Sequence, residues 1–119
     1  MTDKELLELA AKAIGHSIEC DPISGLTFFD SKFSGVLWNP LHNDGDALRL
    51  AVSLLQLGHG VHINIYKHVV VARIDPTDSA EPSIDAWCWT KYAAEGAADI
   101  YGIDEATRRA IVRAAAKIK

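Results

Sequence analysis

The pattern of apolar and polar positions is clearest in the middle of the chain. Leu48, Leu50, Ala51, Val52, Leu54, Leu55 and Leu57 follow one another with only Arg49, Ser53 and Gln56 polar among them. Those three recur at i, i+4 and i+7, so they form one narrow polar stripe on an otherwise apolar helix. An apolar surface that wide predicts burial on more than one side. The run Trp38-Asn39-Pro40-Leu41-His42-Asn43-Asp44-Gly45-Asp46-Ala47 leads into it. Pro40 keeps Asn39 extended. Asp44 is placed to accept first-turn amides as the N-cap, and Asp46 adds negative charge at the positive end of the helix dipole. Gly58 suits the left-handed position that ends the helix.

The flanking segments read in the same way. Thr2 and Glu5 have capping-box spacing, Leu6, Leu7, Ala10, Ala13 and Ile14 follow at helical intervals, and Gly15 is a natural stop. From Ser17 the period changes. Ser17–Cys20 fits a short strand, and Leu26–Phe29 and Phe33–Trp38 are β-prone runs on either side of Asp30-Ser31-Lys32, which predicts a hairpin. Val61–Tyr66 alternates, with Val61, Ile63 and Ile65 opposite His62, Asn64 and Tyr66. A tight turn at Tyr66-Lys67 would set His62 across from Val71. Val69-Val70-Val71 puts branched side chains on both faces of His68–Ile74, which predicts a sheet covered on both faces, by helices or on one side by a second copy. Ile84–Thr90 alternates again. Trp87 and Trp89 share one face, expected to be the floor under a helix, and Ala86 and Cys88 share the other.

Asp75–Ser83, with Pro76 and Pro82, reads as an exposed loop. Tyr92–Gly102 fits either Ala-rich helical turns or an irregular connection. Asp104 then caps a last helix, with Ala106, Ala110, Ile111, Ala114, Ala115 and Ile118 apolar and Arg108, Arg109, Arg113, Lys117 and Lys119 basic. The elements together predict one α+β domain over residues 1–119, a mainly antiparallel sheet between helical layers in an α/β/α sandwich.

Composition narrows the function classes. With 49% hydrophobic and 24% charged residues, the chain resembles an ordinary globular domain. A net charge of −4 argues against a general nucleic-acid binder and against an anionic membrane surface. No apolar run approaches the roughly 18 residues of a membrane span, and Met1-Thr2-Asp3-Lys4-Glu5 lacks a signal-peptide core. Cys20 and Cys88 stand far apart with no CxxC spacing, as reduced core thiols of a cytoplasmic protein would.

Candidate chemistry is thin. Placing Gly45 at the obligatory glycine of a calcium loop puts Pro40, His42 and Ala51 where oxygen ligands are needed, so helix capping accounts better for this segment. His62 and His68 would lie about 10 Å apart along a hairpin, His59 lies outside the strand, and no Cys or carboxylate pair completes a zinc set. Gly58-His59-Gly60 lacks the third glycine of a dinucleotide fingerprint, and neither a P-loop nor a nucleophile elbow is present. Asp85, His62, Trp87 and Trp89 could serve as a small-molecule platform. Arg109, Arg113 and Lys117, at four-residue spacing, are the candidate interaction surface. Such a stripe tracks phosphates or forms a solvated helix face. The excess of 16 acidic over 12 basic residues, with no aromatic residue in the stripe, favours the solvated face.

The run Trp38-Asn39-Pro40-Leu41-x-Asn43-Asp44-Gly45-Asp46-Ala47-Leu48-Arg49-Leu50-Ala51-Val52, together with Thr107-Arg108-Arg109-Ala110-Ile111-Val112-Arg113-Ala114-Ala115-Ala116, resembles a family of small phage and prophage proteins, the phage ABA sandwich domain. It is similar in style to the NinX-type accessory proteins of lambda-like phages. The resemblance covers nearly the whole chain. It implies a helix–sheet–helix sandwich acting in the bacterial host cytoplasm, and it brings no catalytic residues to this sequence. The expected function is therefore a non-enzymatic accessory protein, without cofactor or metal, that binds a host or phage protein. Nucleic-acid binding through the terminal basic helix is the second expectation and a small-molecule enzyme the third. A homodimer is compatible with all three.

Overall fold

The central helix, α2 (Asp44–Gln56), starts one residue earlier than its capping chemistry predicts. Asn43, not Asp44, is the N-cap: its backbone is extended, and its side-chain oxygen accepts the Asp46 amide at 2.9 Å. Asp44 is turned instead to Arg108, whose Nη1 donates to its carboxylate at 2.6 Å. Asp46, buried beneath the turn, accepts the Asn39 amide at 2.9 Å and Arg49 Nη2 at 2.9 Å. The whole 38–46 segment is thereby folded back onto the first turn of its helix.

In this computed structural model, residues 1–78, 80–93 and 100–118 are described. Among them, helix α1 (Asp3–Ala13) is capped as predicted, with Thr2 Oγ1 accepting the Glu5 amide at 3.2 Å. Both α1 and α2 end on a left-handed glycine, Gly15 at φ 79° and Gly58 at φ 97°. Behind Gly58 the His59 amide donates to Leu54 O and the Gly58 amide to Leu55 O, the paired bonds of a Schellman motif. A small antiparallel sheet joins β1 (Ile18–Cys20) to β2 (Thr27–Phe29). The expected second arm of that hairpin, Phe33–Trp38, contributes only a bridge from Leu37 to Phe28. Lys32–Ser34 forms a 3₁₀ turn, and Phe33 stays in solvent.

The main sheet has the order β3-β4-β5, all antiparallel, from β3 (Gly60–Ile65), β4 (Val69–Asp75) and β5 (Ile84–Trp89). The Tyr66 amide donates to Val69 O, so the first hairpin turns at Lys67-His68 and His62 faces Arg73 rather than Val71. One face carries Val70, Ala72, Ile74, Ala86 and Cys88, all buried. Against it lies α3 (Ile103–Ala116), which contacts β4 and β5 and is flanked by α1 and α2. Its first turn is entered from Gly102 with no side-chain cap, so Asp104 is a first-turn acid and not the N-cap. Ala106, Ala110, Ala114 and Ala115 let sheet and helices approach it on several sides, and they are buried together with Ile111 and Val112.

The result is an α+β domain of layered antiparallel sheet and helix, the class its patterning predicts. Three expectations about burial fail. Within the chain the main sheet is not covered on both faces: among the described residues no helix packs on the side of Val69, Val71, Trp87 and Trp89. Trp87 and Trp89 are not the floor of a helix: they lie on the opposite face, 53% and 41% exposed, beside Val69 and Val71. Nor is α2 buried on several sides. Ala47, Leu50, Ala51 and Leu54 face the core, while Leu48, Val52 and Leu55 face out, because α3 and β3 cover only one flank. The reading of Tyr92–Gly102 concerns residues of which 94–99 lie outside the described set. Ile100–Gly102 is non-helical, and Tyr101 bridges Thr90.

These placements sort two pairs of neighbours. Asn43→Ala should lower unfolding free energy by about 1 kcal/mol, and Asp44→Ala by less, since the ion pair lost with Arg108 is solvent-exposed on the carboxylate side. Leu54→Ala should cost about 2–5 kcal/mol for the cavity it leaves. Leu55→Ala, at a position 60% exposed in the single chain, leaves no cavity in the core and should cost less than Leu54→Ala. Denaturant titration of the four variants measures all four effects.

Candidate functional site

The cations of the predicted stripe share one side of α3, and each has a partner within the chain. Arg109 is only 7% exposed. Its Nη1 and Nη2 donate to the two carboxylate oxygens of Asp3, both at 3.0 Å, and its Nε donates to Glu105 at 3.3 Å. The guanidinium lies 4.5 Å from the Tyr101 ring centre. A buried cation is tolerated only with such pairing. The Asp3 hydrogen bonds raise the Arg109 pKa despite burial, and the same bonds hold the Asp3 carboxyl below its ordinary value.

Arg113 and Lys117 do something different. Their donors reach around the outer edge of β5: Arg113 Nη1 to Trp87 O at 3.0 Å, and Lys117 Nζ to Asp85 O at 2.8 Å. The Tyr101 amide takes the next carbonyl, Trp89 O, at 3.1 Å. Asp85, Trp87 and Trp89 are the residues of β5 whose carbonyls point away from β4, so this row covers the outward carbonyls of the edge strand. Lys117 Nζ also lies 5.5 Å from the Trp87 ring centre. Aromatic rings do therefore abut the stripe, although none lies within it in sequence. Between these groups and α1 is a cleft of ≈ 520 Å³ lined by Asp3, Leu6, Trp87, Tyr101, Arg109 and Arg113.

The other gathering of functional groups is the open face of the main sheet. At one end Asp75 accepts from Ser83 Oγ at 2.8 Å, His62 Nε2 at 2.8 Å and Arg73 Nε at 3.1 Å. Those bonds, Ser83 first, keep its carboxyl below the ordinary range. Ser83 gives its proton to the carboxylate and receives Arg73 Nη2 at 3.0 Å, so it is not the partner of a histidine base. Asp85 stands across from Arg73. At the other end Trp87 and Trp89 pair with Val71 and Val69, with Asn64 alongside Val71.

Of the histidines considered for zinc, His59 Nδ1 is 3.3 Å from Asp75 O, and His68 Nδ1 is bonded to Tyr92 O. Among the described residues, no group of three or more His, Cys, Asp or Glu side chains is placed to hold a metal ion. No helix among them is long and apolar enough to cross a membrane.

Sequence spacing missed the roles of Asp3 and Tyr101 and the exposure of the tryptophans. Asp3 is 106 positions from Arg109, out of reach of any local pattern. The tryptophans were traceable. Ala86 and Cys88 offer the flat, small-residue surface that an Ala-rich helix fits, which leaves the Trp face outside. Comparison of the chain with protein-family models, curated proteins and solved structures returned no match.

Arg109→Ala should destabilise by about 1.5–3 kcal/mol, the range for hydrogen bonds to charged groups. Arg113→Ala and Lys117→Ala should each stay within about 1 kcal/mol. Because folding lowers the Asp3 pKa, its contribution is present at neutral pH. It fades as pH falls below the unfolded value toward the folded one. Urea midpoints of wild type and Asp3→Asn should therefore differ at pH 7 and converge in acid. A constant difference across that range would show that the Asp3 charge does not matter.

Proposed function

We propose that this chain is a non-enzymatic phage or prophage accessory protein that works in the bacterial cytoplasm by binding another protein. The observation that carries the binding half of this reading is the open sheet face with Trp87 and Trp89 exposed on its β5 side. Exposed tryptophans on a rigid strand are what protein interfaces use as anchors, because they bury much area and lose little side-chain freedom. Val69 and Val71 provide apolar contact between them, and the His62, Arg73, Asp75 and Asp85 end provides a polar rim. The phage assignment rests on the sequence resemblance of the Trp38–Val52 and Thr107–Ala116 segments.

What weighs against the nucleic-acid alternative is the state of Arg109, Arg113 and Lys117. One is sunk in an ion pair, and the other two each commit a donor to a strand carbonyl, so the three do not stand as a free row for phosphates. What weighs against an enzyme is the Asp75 cluster, in which every donor converges on one carboxylate and no nucleophile meets a base.

The test is affinity capture from lysate of infected bacteria with wild type and with Trp87→Ser/Trp89→Ser. Wild type should retain a protein in stoichiometric amount, and the double variant should lose it while melting at the same temperature. Capture that survives the double variant would sink the reading. So would a low-salt nucleic-acid mobility shift abolished by Arg113→Glu/Lys117→Glu, which would favour the second alternative.

A further inference from the structure

The two edges of the main sheet are treated oppositely. At β5 the outward carbonyls of Asp85, Trp87 and Trp89 are all engaged, by Lys117, Arg113 and the Tyr101 amide. At β3 the parity of the ladder is fixed by the Tyr66 amide bonding Val69 O. Gly60, His62 and Asn64 therefore turn toward β4, and Val61, Ile63 and Ile65 turn their amides and carbonyls outward. Among the described residues nothing hydrogen-bonds to those outward groups. The strand Gly60-Val61-His62-Ile63-Asn64-Ile65 carries no Lys, Asp, Glu or Pro, the residues that usually guard an exposed edge.

We propose that this edge pairs antiparallel with the same edge of a second copy, about a twofold axis at Ile63, joining two three-stranded sheets into one of six. The sequence is self-complementary in that register. Ile63 meets its own copy and Val61 meets Ile65 of the other chain, so all the outward amides and carbonyls of 61, 63 and 65 are satisfied. On the helix side, branched side chains meet branched side chains. On the open side, His62 meets Asn64, a polar pair with no like charges to repel. The flanking helix repeats the symmetry. Leu48, Val52 and Leu55 form an exposed stripe on α2 centred on Val52, and Leu48 and Ala51 line the same cleft as Ile63 and Ile65, together with Asp104 and the Asp44–Arg108 ion pair. With Ile103, these side chains offer on the order of 500 Å² of apolar surface per copy, most of the ~800 Å² per partner of a standard interface. A twofold axis normal to the sheet leaves both Trp87/Trp89 faces on one side. The dimer goes beyond the protein-binding proposal and does not depend on it.

Sedimentation equilibrium with amide exchange followed residue by residue tests the proposal. Wild type should sediment at twice the mass of one chain, with the amides of Val61, Ile63 and Ile65 protected alongside those of His62 and Asn64. Ile65→Lys and Leu55→Glu alter exposed positions of the folded chain and should each give a monomer with an unchanged circular dichroism spectrum. In those monomers protection should be lost at 61, 63 and 65 alone. A monomeric wild type with fast exchange at those amides would overturn the proposal and leave the edge to an extended segment of another protein. A dimer that survives both substitutions would overturn it too, by placing the contact elsewhere.

Discussion

The close seating of α3 on the small-residue face of the sheet is the constraint from which most of this structure follows. Ala72, Ala86 and Cys88 present little bulk, and Ala106, Ala110 and Ala114 answer with little, so helix and sheet approach closely. A helix that near cannot share the face with indole rings, and strand alternation sends Trp87 and Trp89 to the other side. It also brings the base of the Arg109 side chain below the protein surface. A guanidinium there needs a counter-ion, and Asp3 supplies one by docking the first turn of α1 on α3. Packing, the buried ion pair and the exposed aromatic face are thus consequences of one close contact.

How much of this was legible in the sequence depends on the range of the interaction involved. The ends of α1 and the glycine stop of α2 are local chemistry, and both stand where spacing puts them. The cap of α2 was misplaced by one residue because Asn43 and Asp44 are both good caps. Arg108, 64 positions away, decides between them by taking the Asp44 carboxylate. The hairpin register slipped because Tyr66-Lys67 and Lys67-His68 are equally plausible as a turn by composition. The side occupied by α3 was harder to read. Val69-Val70-Val71 looks like a strand apolar on both faces, yet Val69 and Val71 are only partly buried beside the tryptophans. Period alone counts apolar residues and does not say which face a helix chooses.

The candidate site shows the same division. Four-residue spacing correctly put Arg109, Arg113 and Lys117 on one side of a helix. It could not show that Arg109 is buried, because burial depends on α1 arriving from the other end of the chain. Nor could it show that Arg113 and Lys117 meet backbone oxygen. A lone carbonyl has no sequence signature, and an edge strand is an edge only once the sheet order is known.

The treatment of the two edges connects the electrostatics of the chain to its architecture. Cations in the last turns of α3 would be favourable anywhere near that negative helix end. Here they also cover the outward carbonyls of Trp87 and Asp85, which would otherwise be open to another strand. Among the described residues no equivalent device lies along β3. Its own Ile63 and Ile65 and the adjacent Leu48 and Ile103 are exposed apolar side chains, beside Asp44, Asp104 and Arg108. Those three charges line the cleft beside the strand and make no hydrogen bond to its outward backbone, unlike the cations at β5. Exposed apolar side chains of β3 and α2 lie beside this outward backbone, and backbone hydrogen bonds and apolar contact can there be made by the same neighbour.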